Sequence, residues 1–195
     1  MTDALDATLV ATVWPARRNL RLARDAALVI GGALALAVSA KVQVPFYPVP
    51  MTLQTLVVLI LAAAFGARLG VAAVALYLVE GLFGAPVFAG AFAGPAYMAG
   101  PTSGYLAGFL ACAALTGFLA ERGWSRSWPR LVAAMTVGHA VIFAFGYAWL
   151  AALVGPEKAF ALGVAPFALA TVVKTLLAAA IVAAAWGVVG ELPDA

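Results

Sequence analysis

Apolar residues run almost unbroken through six stretches of the chain, near Ala23–Ala40, Met51–Ala67, Leu69–Gly84, Ser103–Ala120, Leu131–Val154 and Ala161–Val189. Charges or Gly/Pro breakers bound each one. The first, fourth, fifth and sixth reach or approach the roughly 17–25 residues that a helical membrane crossing needs. The second and third are shorter and are joined by "FGARLG". They read as two short spans or as one re-entrant pair. Two spans are preferred, because Arg68 at the junction sits more easily at an interface than inside lipid. Strict apolar/polar alternation is absent, which favours helices over a membrane β-barrel. The predicted fold class is therefore an all-α integral membrane protein of six transmembrane helices. One membrane domain covers 23–190, after an N-terminal segment 1–22.

Composition agrees with that pattern. Hydrophobic residues make up 66% of the 195 and charged ones 10%, against roughly 45–50% and about 25% in soluble domains. The charges then test the span count. With a cytoplasmic N-terminus, Arg17, Arg18, Arg21, Arg24, Arg68, Arg122, Arg126 and Arg130 fall inside, and only Lys41 and Lys158 fall outside. That distribution obeys the positive-inside bias, and removing one middle span would put Arg122–Arg130 on the wrong face. The net charge of +3 thus faces anionic lipid rather than nucleic acid. A cleaved leader ending near "ALAVSA" is a weaker reading, because the polar lead is long and the remainder is membrane-embedded anyway. Segment 1–22 is either surface-lying on the inner side or without order. Cys112, the single cysteine, reads as a small buried residue.

Two connections share the outer side: "KVQVPFYPVPMTLQ" (41–54) and "GAPVFAGAFAGPAYMAGPTSGY" (84–105). The second holds five glycines, three prolines and four aromatics without a charge. Irregular backbone at membrane depth must be buried in protein or line a cavity, since unpaired peptide groups cost several kcal/mol each in hydrocarbon. Two readings follow, a plug that stabilises the bundle end or a lid over a pocket open to the outside.

Polar residues within the spans sharpen the choice. Lys174 lies deep in an uncharged run and should face the bundle interior with a partner. That partner is either Glu80, as a structural ion pair, or a ligand. Thr171 stands one turn earlier on the same helical face. Gln54 and Thr52 at the entry to the second span either cap it or hydrogen-bond a ligand. His139, in "TVGHAVIF", reads more readily as an interhelical hydrogen-bonding residue than as a proton relay. Small residues at Ala27-x-x-x-Gly31 and Ala33-x-x-x-Ala37 permit close helix approach, within the chain or to a second membrane protein. No phosphate-cradling "GxxxxGK[ST]", metal-ligand spacing or hydrolytic triad is present. An intramembrane enzyme built on His139 or Glu80 would need a second catalytic group that the sequence does not offer.

"PFYPVPMTLQTLVVLILAAAFGARLGVAAVALYLVEGLFGAPVFAG", "GPTSGYLAGF" and "PFALATVVKTLLAA" resemble the BioY family, the biotin-specific substrate-binding (S) components of energy-coupling factor (ECF) transporters. The likeness runs from about Lys41 to Ala180. It implies a six-helix S-component bundle in the bacterial cytoplasmic (inner) membrane, with both termini cytoplasmic. Biotin would lie near the outer face, beneath the loops after the first and third helices. The resemblance implies no cofactor and no catalysis. It implies as partners a transmembrane coupling protein and cytoplasmic ATPases that energise transport, with Ala33 and Ala37 as contacts to the coupling protein. Phe46, Phe88, Tyr97 and Tyr105 are expected to pack biotin's apolar parts. Lys174, Thr171, Gln54, Thr52, Thr102 and Glu80 are expected near its polar groups. The resemblance puts the ureido ring of biotin against polar residues of the last helix, where Lys174 matches the lysine of the family pattern "PFxPGDxxK", but Thr171 stands where that pattern has an acid. Lys174 is then left to meet the valerate carboxylate or to draw a charge from Glu80. An S component for another vitamin and a ligand-free scaffold subunit are the alternatives. Homo-oligomerisation and transport without partners are left open.

Overall fold

The computed structural model describes residues 8–15, 19–90 and 92–189; Arg17 and Arg18 lie outside the described residues. A short helix, α1 (Leu9–Val13), is followed by α2 (Arg21–Lys41), a two-stranded antiparallel hairpin β1 (Gln43–Val44) and β2 (Met51–Thr52), and α3 (Gln54–Leu82). Then come α4 (Gly94–Met98), α5 (Ser103–Glu121), α6 (Trp128–Val154), α7 (Pro156–Gly163) and α8 (Ala168–Val189). Five long apolar runs in this series are able to cross a membrane, and one of them crosses twice.

That one is α3. Its helical geometry fails at Gly66, where φ is 81° and ψ is 177°, a conformation only glycine adopts without strain. The Gln54 amide nitrogen donates to the Tyr77 hydroxyl at 2.6 Å, although 23 residues separate them. On a straight helix those residues would stand about 34 Å apart. The run is therefore a hairpin of two antiparallel limbs, 54–65 and 67–82, turning at Gly66. Six crossings result, and Arg68 sits beside the turn as its charge requires.

The turn is closed from α5. A Cβ on Gly117 would collide with the backbone of Gly66 and Ala67, so the missing side chain lets α5 lie directly against the hairpin. Glu121, one turn further on, then accepts a hydrogen bond from the Ala67 N–H at 2.8 Å. Ala67 opens the second limb, so a carboxylate occupies a helix N-terminus with unpaired donors and a favourable dipole. Further arginines of the described residues collect at this same end. Arg122 lies 3.9 Å over the Phe118 ring and Arg126 lies 4.7 Å from the Trp186 ring near the end of α8. Arg24 bonds Asp25 at 2.8 Å and the Trp14 carbonyl at 2.9 Å, joining α2 to the segment after α1. Helix α1 itself packs on α3 and α8.

The opposite end carries the irregular chain, and here the expected sixth span needs correction. The run Ala161–Val189 is not one helix. A left-handed Gly155 (φ 86°) turns the chain into α7, and a 3-10 turn at Ala165–Phe167 precedes α8. Gly163 and Pro166 break the run, although its hydropathy is continuous. Lys174 is consequently about 9 Å from the start of its helix rather than at mid-span. The two residues expected to contact a partner do not lie on the open face of α2. Ala33 is wholly buried and Ala37 is half-buried against the core, so the open face of α2 presents Ala27, Gly31 and Ala35 instead.

Candidate functional site

Beneath the outer loops, α3, α5, α6 and α8 converge on a narrow cavity of about 50 Å³. That admits a few water molecules, so a larger solute enters only as the walls part. Its apolar wall includes Tyr105 and Phe109 from α5, Ile142 and Phe143 from α6, and Phe167 before α8. Its polar side is Thr52, Gln54, Thr55, Thr102, Thr171 and Lys174. A wider vestibule of about 560 Å³ lies above it, between the two outer loops, with Phe46, Tyr47 and Phe92 on its walls. Pro50, Ala89, Tyr97 and Thr102 border both chambers.

The polar side is organised by one chain of hydrogen bonds. The Lys174 Nζ donates to the Thr52 carbonyl at 2.7 Å. The Thr52 hydroxyl donates to Gln54 Oε1 at 3.0 Å and accepts the Gln54 N–H at 3.4 Å. Gln54 Nε2 continues the chain to Tyr77. Thr52 and Gln54 thus bond to each other at the start of α3 and both line the cavity, while the N-cap residue Leu53 receives no side-chain cap. The strands hold Thr52 in place through the register Gln43↔Thr52 and Val44↔Met51. Thr171 and Lys174, three residues apart on α8, reach the same chamber.

Aromatic residues form two contiguous sets. Phe92, Tyr97 and Phe88 stack at 5.8 and 4.8 Å, and Phe88 meets Tyr77 edge-on at 5.5 Å. Phe46, Phe167, Phe143 and Tyr105 follow one another at 6.0–6.2 Å. The Tyr105 ring lines the cavity, and its hydroxyl donates to the Gly163 carbonyl at 2.8 Å. Burial pushes the Tyr97 hydroxyl above its usual pKa. It stays neutral and polar at physiological pH.

The structure therefore brings Lys174, Thr171, Gln54, Thr52, Tyr97, Thr102 and Tyr105 together around the cavity. Phe46 stands on the vestibule wall. Phe88 is wholly buried behind Tyr97, lining neither chamber. Glu80 also lines neither, and among the described residues it makes no ion pair with Lys174. His139 lies outside the cavity; its Nδ1 is 2.8 Å from the Thr175 hydroxyl, a buried link between α6 and α8.

Lys41 was read from sequence only as an outer charge. Its ammonium donates to the carbonyls of Pro86, Phe88 and Gly90 at 2.5, 2.8 and 2.7 Å, and so fastens the second loop to the end of α2. Phe167 was also missed, though its spacing from Thr171 and Lys174, four and seven residues, is that of one helical face.

Comparison with known proteins identifies this arrangement. The sequence model described as "BioY family" matches residues 7–191. The "Probable biotin transporter BioY" of Pyrococcus horikoshii is 38% identical over 142 residues, covering 73% of this chain and 83% of that protein. The "Biotin transporter BioY" of Thermotoga maritima is 37% identical over 147 residues, 75% of this chain and 86% of that one. A crystal structure described as the S-component for biotin from an ECF-type ABC transporter superposes with a TM-score of 0.74. It is 21% identical and covers 87% of this chain and 94% of its own, which establishes a shared fold.

Proposed function

The chain belongs to the BioY family, and from that premise we propose that it is a biotin-binding substrate-specificity component of an ECF transporter. The observation that carries the reading is the cavity itself: a lysine, four threonines and a glutamine gathered under aromatic loops at the end opposite the arginines. Biotin enters from the outside through the vestibule and passes between Pro50 and Tyr97. The walls then close on it, with Tyr97, Tyr105 and Phe143 against its apolar parts and Lys174, Thr171 and Gln54 against its polar groups. Phe88 supports Tyr97 from behind, and Phe46 guards the entrance. The protein performs no chemistry on its guest. Energy for inward release comes from partner ATPases through a coupling protein, and the open small-residue face of α2 suits such a helix contact. The arginine-rich end faces the cytoplasm and the loops face outward, in keeping with the positive-inside rule. The cell's cytoplasmic membrane is the corresponding location.

A thermal-shift panel of vitamins on the detergent-solubilised protein tests this. Biotin at 100 times its dissociation constant should add about 2.7 kcal/mol of stability, or roughly 5–10 °C for a chain of this length. A response to a different vitamin would keep the transporter class and remove biotin as the cargo. No response to any vitamin would favour a scaffold with plugged loops.

A further inference from the structure

Helix α8 supplies Thr171 and Lys174 to the cavity, yet its first half is loosely held. Of its first ten residues Thr175 alone is buried, whereas Leu169, Val172, Val173, Leu176 and Leu177 are exposed. The 3-10 turn at Ala165–Phe167 separates this half from α7. Toward α6 a groove of about 380 Å³ opens, with His139, Phe143, Thr171 and Thr175 among its walls. Side-chain packing along this seam is therefore thin. Lipid sets no preferred rotation on a helix whose outward faces are all apolar.

One contact does set the rotation. His139 Nδ1 lies 2.8 Å from the Thr175 hydroxyl, and both residues are buried. That hydroxyl is carried directly on Cβ, so the bond ties the backbone of α8 to α6. The bond from Lys174 to the Thr52 carbonyl is less binding on the angle, because a flexible four-carbon stem carries it. Helical geometry puts Lys174 and Thr175 about 100° apart around α8, with Thr171 between them. Lys174 accordingly lines the cavity, Thr175 lines the groove, and Thr171 borders both. A turn of α8 that withdrew Thr175 from His139 would swing Thr171 and Lys174 with it. His139 is also a costly way to hold two helices together. Its Nε2 is buried without a partner, a desolvation penalty that an apolar side chain of similar size would not incur.

We infer that His139 is a positioning residue of the binding site: by holding Thr175 it fixes the rotation of α8 and so aims Thr171 and Lys174 into the cavity. This rests on the biotin reading above.

The test is equilibrium binding of labelled biotin to the purified full-length protein, with the melting temperature of the ligand-free protein measured in parallel. His139→Leu and Thr175→Val should each weaken biotin roughly three- to tenfold, the population shift that loss of one buried hydrogen bond permits. His139→Leu should do so at a melting temperature close to that of wild type. His139→Asn, whose amide reaches the position of Nδ1, should recover most of the affinity. The double variant His139→Leu/Thr175→Val should lose no more than either single one, because both remove the same bond. Affinity of His139→Leu within twofold of wild type would overturn the assignment. So would absence of rescue by asparagine, or losses that multiply in the double variant. Should His139→Leu not fold, Thr175→Val is compared with Thr175→Ser, which keeps the hydroxyl, and equal affinities would overturn the assignment. Failure of wild type to bind biotin would instead overturn the biotin reading on which it rests.

Discussion

Replacing Lys41 with methionine should speed release of the guest while leaving the bundle intact. Methionine retains the apolar stem and removes the three donors that hold Pro86, Phe88 and Gly90. Two of those bonds are exposed and one is partly buried, so solvent reduces each from the strength of a secluded charged bond to about 0.5–1 kcal/mol. Their sum is about 2 kcal/mol, and it stabilises the docked loop alone. Losing it should raise the undocked fraction about thirtyfold. Exit that waits on undocking should accelerate by up to that factor, with association changed much less. The measurement is a chase: load the protein with labelled biotin, add excess unlabelled biotin, and follow loss of label. A dissociation rate within twofold of wild type, at unchanged melting temperature, would show that this loop is not the barrier to exit.

Three further substitutions probe the scaffold around the site. Glu121→Ala leaves the Ala67 N–H without its carboxylate and should cost about 2–3 kcal/mol, while Glu121→Gln, which keeps an acceptor, should cost about 1. Equal melting temperatures for the two variants would refute a charge-dependent cap. Gly81→Ala places a methyl group where the buried Phe88 ring lies, with an overpacking cost of about 1–3 kcal/mol. Binding should weaken and recover in Gly81→Ala/Phe88→Leu; failure of the second change to restore affinity would mean that Phe88 does not support the wall. Tyr105→Phe removes the hydrogen bond to Gly163 and should lower stability by about 1 kcal/mol, read as a small drop in melting temperature with biotin affinity nearly kept.

Six crossings, the junction at Arg68 and the pairing of two apolar outer loops were all legible in the sequence, because lipid imposes length and charge rules that a chain obeys locally. What was not legible depends on contacts between distant residues. Glu121 meets Ala67 across 54 residues, and nothing in either neighbourhood announces it. Ala33 and Ala37 have the right spacing, as do Ala27 and Gly31, and spacing does not tell which pair faces inward. In water the polar face would decide, but a helix in lipid is apolar on every side. Phe88 and Tyr97 are both aromatic residues of one loop, and only the packing separates the supporting ring from the lining one. The depth of Lys174 was overestimated for a different reason. Gly163 and Pro166 signalled a break, but the apolar run continued through them.

The shortness of the first limb of α3 has a consequence for transport. Twelve residues rise about 18 Å, against a hydrocarbon core of about 30 Å. In this sector the helix does not reach the outer surface, and the hairpin and loops complete the distance. The cavity floor, marked by Lys174, is thereby sunk below the level at which a full-length bundle would end. A guest that settles there has already travelled part of the membrane's thickness by diffusion and attraction alone. What remains for an energy-driven step is the rest of the thickness, about the 18 Å of that limb, from the sunken floor to the arginine-rich end.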